Sequence, residues 1–421
     1  MIYNYLKLSE HHMLFHNKRA LIAGSGAVGT YIAEYCAKLG VSPDALDFDF
    51  FTLENAAKHS CLVRTPEDAG RNKALVTAER LQPLLDEGCS ANGIDTDLCM
   101  LGPEAFADYS IVFVAVDNFD AKVLINELIR QLPANRRPVV VMAGTYDEMA
   151  QSVIINNKDF CLRCLIDESW MKDSSVRTSC TGPQIRTIDG EPEIVRTSNV
   201  ASSMAAHLAI EQFRSHVLNY DGVMNNRLTY TAYPHLELSA SHPMRKRNCP
   251  GCVIHPPEEI RELSGTVLSK TLGETLSEVE ELLGTADFEI SVHRLNYRKI
   301  VYAGFIVSDV CRHCGKPISV LKHEGRAFLG DFFCEDCGNR KVFPEMKYSD
   351  NHASILHAFT RQCDENIKKM TLYDLGFPLG AHIEIVQRNG AFDFLDEDKI
   401  TTTTFFCKED PQQMHCVTKL L

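Results

Sequence analysis

Residues 19–55 read RALIAGSGAVGTYIAEYCAKLGVSPDALDFDFFTLEN, and this stretch decides the fold of the chain. Its apolar run predicts a strand over residues 20–23, and its helical spacing predicts a helix over residues 27–39. A second strand is predicted to start at Leu46 and to end in the acidic residues 47–49. A strand, a glycine turn, a helix and a second strand in this order are typical of a nucleotide-binding α/β domain.

The turn before the predicted helix has the pattern G-x-G-x-x-G, formed by Gly24, Gly26 and Gly29. In this motif the first glycine permits the tight turn, the second lets the backbone approach a phosphate, and the third lets the helix pack close to the strand. A phosphate is favoured at the helix N-terminus, and an acid at the end of the second strand, here Asp47, binds ribose hydroxyls. Alone, the motif indicates a nucleotide, with NAD as the default; the alternative is that the glycines serve packing only.

The bulk composition excludes several classes of protein. A chain of 421 residues predicts two or three domains, and 45% hydrophobic with 24% charged residues is ordinary for a globular protein. The net charge of −13 argues against nucleic acid as a general partner. No apolar run reaches the length of a membrane span, and residues 1–17 lack the apolar core of a signal peptide. A cytoplasmic protein without a membrane partner is therefore expected.

Alternating periodicities continue through the first half of the chain and predict a mostly parallel, doubly wound sheet. The predicted elements are helices over residues 72–85 and 120–131 and strands over residues 111–116 and 138–142. Ligands bind at the carboxyl ends of such strands, where Asp47, Asp49 and Asp117 lie. Carboxylates in this position suggest Mg²⁺ and ribose contacts, whereas the alternative for Asp117 is a helix N-cap.

Cysteines supply the next signal, because sixteen of them in a reducing compartment are not expected to form structural disulfides. Eight lie in four Cys-x₂-Cys pairs. Two such pairs suit one tetrahedral Zn²⁺ ion. The first predicted cluster, joined across a long excursion of the chain, consists of Cys161, Cys164, Cys249 and Cys252.

The second predicted cluster is a zinc ribbon, whose pairs are nineteen residues apart. Its predicted ligands are Cys311, Cys314, Cys334 and Cys337. Because the charge between the pairs is mixed, a structural or protein-docking role is favoured over nucleic-acid binding.

Cys180 belongs to no pair and lies in a polar, glycine-containing loop before a helix predicted over residues 200–213. A lone cysteine in this setting is a candidate nucleophile, and the alternative is a spare thiol.

The glycine turn, D-F-D, an asparagine, a lysine, a strand ending in Asp-Asn and the first two cysteine pairs occur here in one order. In this combination the chain resembles the ThiF/MoeB adenylyltransferases and the adenylation domains of ubiquitin-activating enzymes, over about residues 18–255. The resemblance implies a domain that binds Mg·ATP rather than NAD and adenylates the C-terminal glycine of a β-grasp protein. Many members of that family then capture the acyl group on a cysteine as a thioester.

The resemblance also implies roles for single residues. It places Gly24, Gly26 and Gly29 at the phosphates, Asp47 at the ribose, Asp49 near the metal or phosphates, and Asn55 in the family's asparagine position. It assigns Lys73 to the triphosphate, Asp117 to Mg²⁺, Gln151 to the region of the incoming peptide and Cys180 to the catalytic cysteine.

Two positions depart from the family pattern. Lys58 stands where the family has arginine, which keeps the charge but loses the bidentate fork. The family also contributes an N-terminal arginine to the ATP site of a partner subunit, but no arginine precedes Arg19.

Three regions are predicted: an arm over residues 1–17, the adenylation domain over residues 18–255, and a smaller α+β domain over residues 256–421 that contains the ribbon. The last domain is predicted to hold a helix over residues 275–283 and strands over residues 288–292 and 299–307. Residues 370–386 predict a short helix, a turn and a strand, and this ending resembles the ubiquitin-fold domain that recruits conjugating enzymes. Residues from Asp396 onward are interpreted as loop and tail.

The sequence is therefore interpreted as that of a homodimeric activating enzyme that uses ATP and Mg²⁺ and has two Zn²⁺ sites. It is expected to load a ubiquitin-like protein on Cys180 and to pass it to a conjugating enzyme. The resemblance extends to compact activating enzymes of bacterial conjugation operons, some linked to phage defence, and implies a similar setting. One alternative is a sulfur-carrier adenylyltransferase of cofactor biosynthesis. Another is a non-catalytic scaffold that keeps the adenylation fold.

Overall fold

The computed structural model of the chain describes residues 13–53, 59–60, 62–64, 66–117, 119–146, 149–155, 160–165, 185–188, 191–194, 198–220, 226–233, 235–291, 305–311, 313–323, 333–338, 354–356, 358–388 and 400–409. The chain forms two compact units. The first comprises Met1–Cys99, Phe106–Pro256 and Pro411–Leu421, and the second comprises Met100–Ala105 and Pro257–Asp410. In the part of the chain described here, no helix is long and apolar enough to cross a membrane.

The first unit is built on one large sheet with helices. Its helices are α1 (Ala27–Lys38), α2 (Lys73–Leu81), α3 (Phe119–Gln131) and α4 (Asn199–Val217). Its strands are β1 (Arg19–Ala23), β2 (Ser42–Leu46), β3 (Asn92–Ile94), β4 (Ile111–Val114), β5 (Val139–Tyr146), β6 (Met149–Ile155), β7 (Ile185–Ile188), β8 (Glu191–Ile194), β9 (Arg227–Thr231) and β10 (Glu237–Ser241).

The large sheet has the strand order β10-β9-β6-β5-β4-β1-β2-β3. The five neighbouring strands β5, β4, β1, β2 and β3 are parallel. Strands β6, β9 and β10 extend the sheet in antiparallel fashion. The chain reverses its winding between β1 and β4, which places the switch point of a doubly wound sheet beside the glycine turn. The predicted α/β fold class is confirmed.

Burial explains why these segments are strands and helices. All four residues of β4 are buried, as expected for a strand covered on both faces. The core around it includes Ile22 of β1 and Ile32 of α1. Phe113 meets Phe213 of α4 edge to face at 5.8 Å, and Phe213 meets Phe15 at the same distance. The described end of the N-terminal arm is thus packed into the core.

The prediction for β2 was wrong, because the strand ends at Leu46 instead of starting there. Pro43 and Asp44 suggest a turn, yet both lie inside the strand. Asp44 is buried, and its carboxylate accepts hydrogen bonds from Arg19 (2.5 Å), Tyr109 (2.9 Å) and the side chain of Asn92 (2.8 Å). These partners compensate for the desolvation of the charge.

The second unit is a mixed α/β assembly with two sheets. Its helices are α5 (Leu272–Leu283) and α6 (Glu365–Lys368). Its strands are β11 (Ile260–Leu263), β12 (Phe288–Ser291), β13 (Phe305–Val310), β14 (Pro317–His323), β15 (Ser354–Leu356), β16 (Ala358–Phe359), β17 (His382–Arg388) and β18 (Ile400–Cys407). One sheet has the order β11-β18-β17-β12-β16, and the other has the order β14-β13-β15.

Two local predictions in this unit were wrong. Residues 372–376 form turns rather than a helix, and the short helix lies earlier, at α6. The threonine run interpreted as a tail lies within β18, which pairs with both β17 and β11. Its threonines and phenylalanines are residue types that favour strands, so the signal was present in the sequence.

A short segment, Met100–Ala105, joins the second unit from within the first half of the sequence. Gly102 donates its backbone N–H to the carbonyl oxygen of Leu379 at 2.6 Å. His382 of β17 contacts Glu104 through Nε2 at 2.9 Å, and both side chains are buried. A Cβ on Gly102 would stand 2.3 Å from the carbonyl oxygen of Gly380, so this approach requires glycine.

Candidate nucleotide site and cysteine clusters

Each glycine of the G-x-G-x-x-G turn has a different physical surrounding. Gly24 has a φ of +96°, and a Cβ there would stand 2.9 Å from the carbonyl of Ala115. A Cβ on Gly29 would stand 1.8 Å from the carbonyl oxygen of Gly24, so α1 needs glycine to pack this closely. A Cβ on Gly26 would meet no described atom within 4 Å. With respect to the described residues, the space at Gly26, at the start of α1, is therefore open for a ligand.

Asp47 follows β2 directly and holds the glycine turn in place. One carboxylate oxygen accepts from the backbone N–H of Ser25 at 2.8 Å, and the other accepts from the backbone N–H of Asp49 at 2.9 Å. Burial raises the pKa of Asp47, while the charge of Lys73 and the two hydrogen bonds oppose this shift. A ribose hydroxyl bound by Asp47 would have to share an oxygen with one of these amides.

Lys73 and Asp49 form an ion pair beside the turn. Lys73 begins α2, and its Nζ lies 3.1 Å from Asp49 Oδ2. The lysine side chain is 3% exposed, while the aspartate side chain is 28% exposed. The backbone N–H of Lys73 also donates to the carbonyl oxygen of Asp49 at 2.8 Å. A buried cation is thus held at the carboxyl edge of the sheet by a carboxylate that a ligand can reach.

Asn72 is a site residue for which the sequence analysis gave no role. It caps α2, because its Oδ1 accepts from the backbone N–H of Leu75 at 3.0 Å. Its Nδ2 donates to the carbonyl oxygen of Asp47 at 3.1 Å, which ties the helix to the turn. An asparagine at the start of a predicted helix is a typical N-cap, so this part of its role could have been found from the sequence.

Of the remaining predicted site residues, the structure describes Asp117 and Gln151. Asp117 is exposed and lies two residues after Ala115, whose carbonyl packs against Gly24. Gln151 lies in β6, with Nε2 3.4 Å from Thr229 Oγ1. The other predicted residues, Asn55, Lys58 and Cys180, lie outside the described residues.

Several observations at this turn fit the binding of a nucleoside triphosphate. Among the described residues, no side chain makes a capping hydrogen bond at the N-terminus of α1, and the first turn of this helix contains no acidic residue. The hydroxyl of Ser25 is buried and has no hydrogen-bond partner among the residues that the structure describes. An open approach at Gly26, a helix N-terminus and a buried lysine are the features that bind anionic phosphates.

The first cysteine cluster is assembled as predicted. The sulfur of Cys161 lies 3.7 Å from that of Cys249 and 3.5 Å from that of Cys252, and Cys164 lies 3.5 Å from Cys252. All four side chains are buried. Tetrahedral Zn²⁺ with Zn–S bonds of ~2.3 Å separates its sulfurs by ~3.8 Å, so the thiols have the spacing of a metal site.

The second cluster has the same spacing but another environment. Cys311 lies 3.6 Å from Cys337, and Cys314 lies 3.6 Å from Cys334. Cys314 is exposed and Cys337 is half-buried. Backbone N–H groups of Cys314 and His313 donate to the sulfur of Cys311 and lower the pKa of its thiol to about 6. This cluster, too, can hold a metal ion.

The fold and the turn define a nucleotide-binding protein of the doubly wound α/β class. The chain belongs to the ThiF family, whose model matches residues 10–252. The predicted family is thereby confirmed, and with it an adenylyltransferase fold suited to ATP.

Solved structures to which the chain is similar include two of E. coli MccB. The complex with succinimide is 15% identical, with coverage of 60% of this chain and 73% of that chain and a TM-score of 0.44. The complex with ATP is 16% identical, with coverage of 57% and 68% and a TM-score of 0.43. PaaA is 17% identical, with coverage of 56% and 67% and a TM-score of 0.41. No curated protein sequence matches the chain significantly.

Proposed function

We propose that the chain is an ATP-dependent activating enzyme that adenylates the C-terminal carboxylate of a ubiquitin-like protein of the β-grasp class. The observation that carries the proposal is the junction of the glycine turn with α2. There the open space at Gly26 lies in a turn bound by Asp47, and Asp49, which donates to Asp47, holds the buried Lys73. Membership of the ThiF family supports an adenylyltransferase.

The chemistry requires two anions to meet, because a carboxylate attacks the α-phosphorus of ATP and pyrophosphate leaves. Lys73 and the N–H groups of α1 would offset this repulsion and stabilise charge on the phosphates in the transition state. Lys73 pairs with Asp49, and a phosphate oxygen of bound ATP would replace that carboxylate as its partner. Asp49 and Asp117 would then hold Mg²⁺, which supplies further neutralisation of the phosphates.

The later steps would use other parts of the chain. The thiolate of Cys180 would attack the carbonyl carbon of the acyl adenylate, forming a C–S bond while the C–O bond to AMP breaks and AMP leaves. The second unit would present the loaded protein to a conjugating enzyme, and the enzyme would act as a cytoplasmic homodimer. Both cysteine clusters would hold structural Zn²⁺. A bacterial conjugation system directed against phage is the setting that we propose.

ATP–pyrophosphate exchange in the presence of β-grasp proteins with a C-terminal glycine tests the first step. Lys73→Met and Asp117→Asn are each expected to reduce exchange by at least about 100-fold, because each removes charge stabilisation from the transition state. Lys38→Met is the matched control, since Lys38 is an exposed lysine paired with Glu34 on α1. Exchange that survives Lys73→Met would contradict the proposed site.

A non-reducing gel tests the second step. Mg·ATP and the β-grasp protein should give a thiol-sensitive adduct with the wild-type chain and none with Cys180→Ala or Asp117→Asn. Exchange without any adduct, unaffected by Cys180→Ala, would instead indicate an enzyme that stops at the adenylate, as a sulfur-carrier adenylyltransferase can. Neither exchange nor adduct would indicate a non-catalytic scaffold.

A further inference from the structure

Helix α3 supports both halves of the first cysteine cluster. The side-chain oxygen of Asn126 accepts a hydrogen bond from the backbone N–H of Leu162, 2.8 Å away, within the first cysteine pair. One turn further along α3, Arg130 donates to the carbonyl oxygen of Cys252, 3.1 Å away, in the second pair. The two pairs are distant in sequence, so this face of α3 is a common support on which they meet.

Asn126 also carries a buried donor for which the described residues supply no acceptor. The residue is 2% exposed, and its Nδ2 has no hydrogen-bond partner in the described part of the chain. Because Oδ1 accepts from an N–H, the amide cannot be flipped without setting its NH₂ group against that N–H. A buried donor left unpaired costs about 1–3 kcal/mol, so this position is expected to have an acceptor in the functional protein.

Gly251 reveals what the donor faces. A Cβ on Gly251 would stand 2.9 Å from Asn126 Nδ2 and 2.9 Å from Cys161 Sγ. The donor and this sulfur therefore line the same narrow space, which any side chain at Gly251 would enter. Cys161 is 0% exposed, so bulk water cannot donate to its sulfur.

We infer that Asn126 is a positioning residue of the first cluster and that its side-chain amide donates a hydrogen bond to the Cys161 thiolate once a metal is bound. The inference rests on the proposal that this cluster holds a metal. Four thiolates around a divalent cation carry a net negative charge, which is costly in a buried site. An N–H donor offsets that charge and fixes the ligand in orientation.

Substitution of the full chain with ¹¹³Cd²⁺ provides the test, since each cluster contributes one metal resonance. Asn126→Asp keeps the acceptor for Leu162 and removes the donor. It is expected to shift the resonance of the first cluster, leave the ribbon resonance in place, and lower the metal affinity of the first cluster about 10- to 100-fold in competition with a chelator. Loss of one resonance in Cys314→Ser assigns the ribbon signal.

Gln212→Glu is the matched control. Gln212 of α4 is equally buried. Its side-chain oxygen accepts from the hydroxyl of Ser152, and its side-chain nitrogen donates to the carbonyl oxygen of Asn226. The control makes the same chemical change elsewhere in the first unit and is expected to move neither metal resonance. A shift of similar size in Gln212→Glu would show that general destabilisation is the cause, and would overturn the inference.

If Asn126→Asp does not fold, the wild-type protein still decides the question. A through-bond coupling between ¹¹³Cd and the side-chain amide proton of Asn126 is expected, and its absence would overturn the inference. An unmoved resonance in folded Asn126→Asp would do the same. If the wild-type chain shows only the ribbon resonance, the metal proposal for the first cluster fails, and the role of Asn126 fails with it.

Discussion

Each of the two cysteine clusters offers four thiols at a similar spacing, but the surroundings of the two clusters differ. The first is fully buried and rests on α3 beside a large sheet with an extended apolar core. The ribbon has a described core of only Ile306, Cys311, Ile318, Val320 and Cys334, so candidate ligands form part of the core itself. A metal in the first cluster would fasten two distant segments to a unit with its own core. In the ribbon it would be the main support of a small core that its own ligands help to form.

The largest expected effect follows from removing one ligand of each cluster. Cys161→Ser should lower the unfolding free energy of the first unit by more than about 4 kcal/mol, since it releases the metal and leaves buried polar sulfurs. Cys314→Ser should release the other metal and melt chiefly the sheet of β13, β14 and β15. Calorimetry with metal analysis checks both. If Cys314→Ser lowered the transition of the first unit as much as Cys161→Ser does, the proposed difference between the clusters would be wrong.

A second expectation concerns the rate of metal loss. The exposed Cys314 and half-buried Cys337 give chelators and alkylating reagents access to the ribbon, whereas the first cluster is buried. The ribbon metal should leave at least about tenfold faster, because reactive thiols are the accessible ones. A chromophoric metal indicator, combined with mass spectrometry of alkylated cysteines, measures the order of release. Alkylation of Cys161 as early as Cys314 would remove the distinction.

The smallest effect concerns the ion pair beside each cluster. Glu127 of α3 pairs with Arg163 in the first cluster at 3.1 Å, and burial raises the pKa of Glu127 to about 7 from 4.5. The folded chain therefore holds this proton more tightly than the unfolded chain, and the stability that Glu127 contributes is lost as the pH rises between these values. Glu127→Gln should flatten the dependence of unfolding free energy on pH between pH 5 and 8, by about 2–3 kcal/mol.

The matched change in the ribbon is Lys316→Met, which removes an exposed ion pair with Asp336. It should alter stability by less than about 0.5 kcal/mol and leave the pH profile unchanged. Urea unfolding at several pH values compares the two variants with the wild-type chain. Parallel profiles for the wild type and Glu127→Gln would show that the carboxyl group does not titrate as expected.

The parts of the fold that could be predicted are those with local signals. The G-x-G-x-x-G turn predicted the strand β1 and the helix α1 on either side of it, and the cysteine spacing predicted both clusters. The start of β2 was missed because its buried Asp44 depends on Arg19, Tyr109 and Asn92, which are remote in sequence. Asn126 could not be found for the same reason, since its partner Leu162 is brought to it only by the tertiary fold.

The segment Met100–Ala105 has a practical consequence for dissecting the chain. Its backbone and Glu104 are bonded to Leu379, Gly380 and His382 of the second unit, although it is encoded between β3 and β4. The units are therefore not consecutive modules, and a cut at residue 256 would leave each fragment with an incomplete surface. A chimera that joins the C-terminal part to another adenylation domain would therefore also need these six residues, inserted at the equivalent position of that domain.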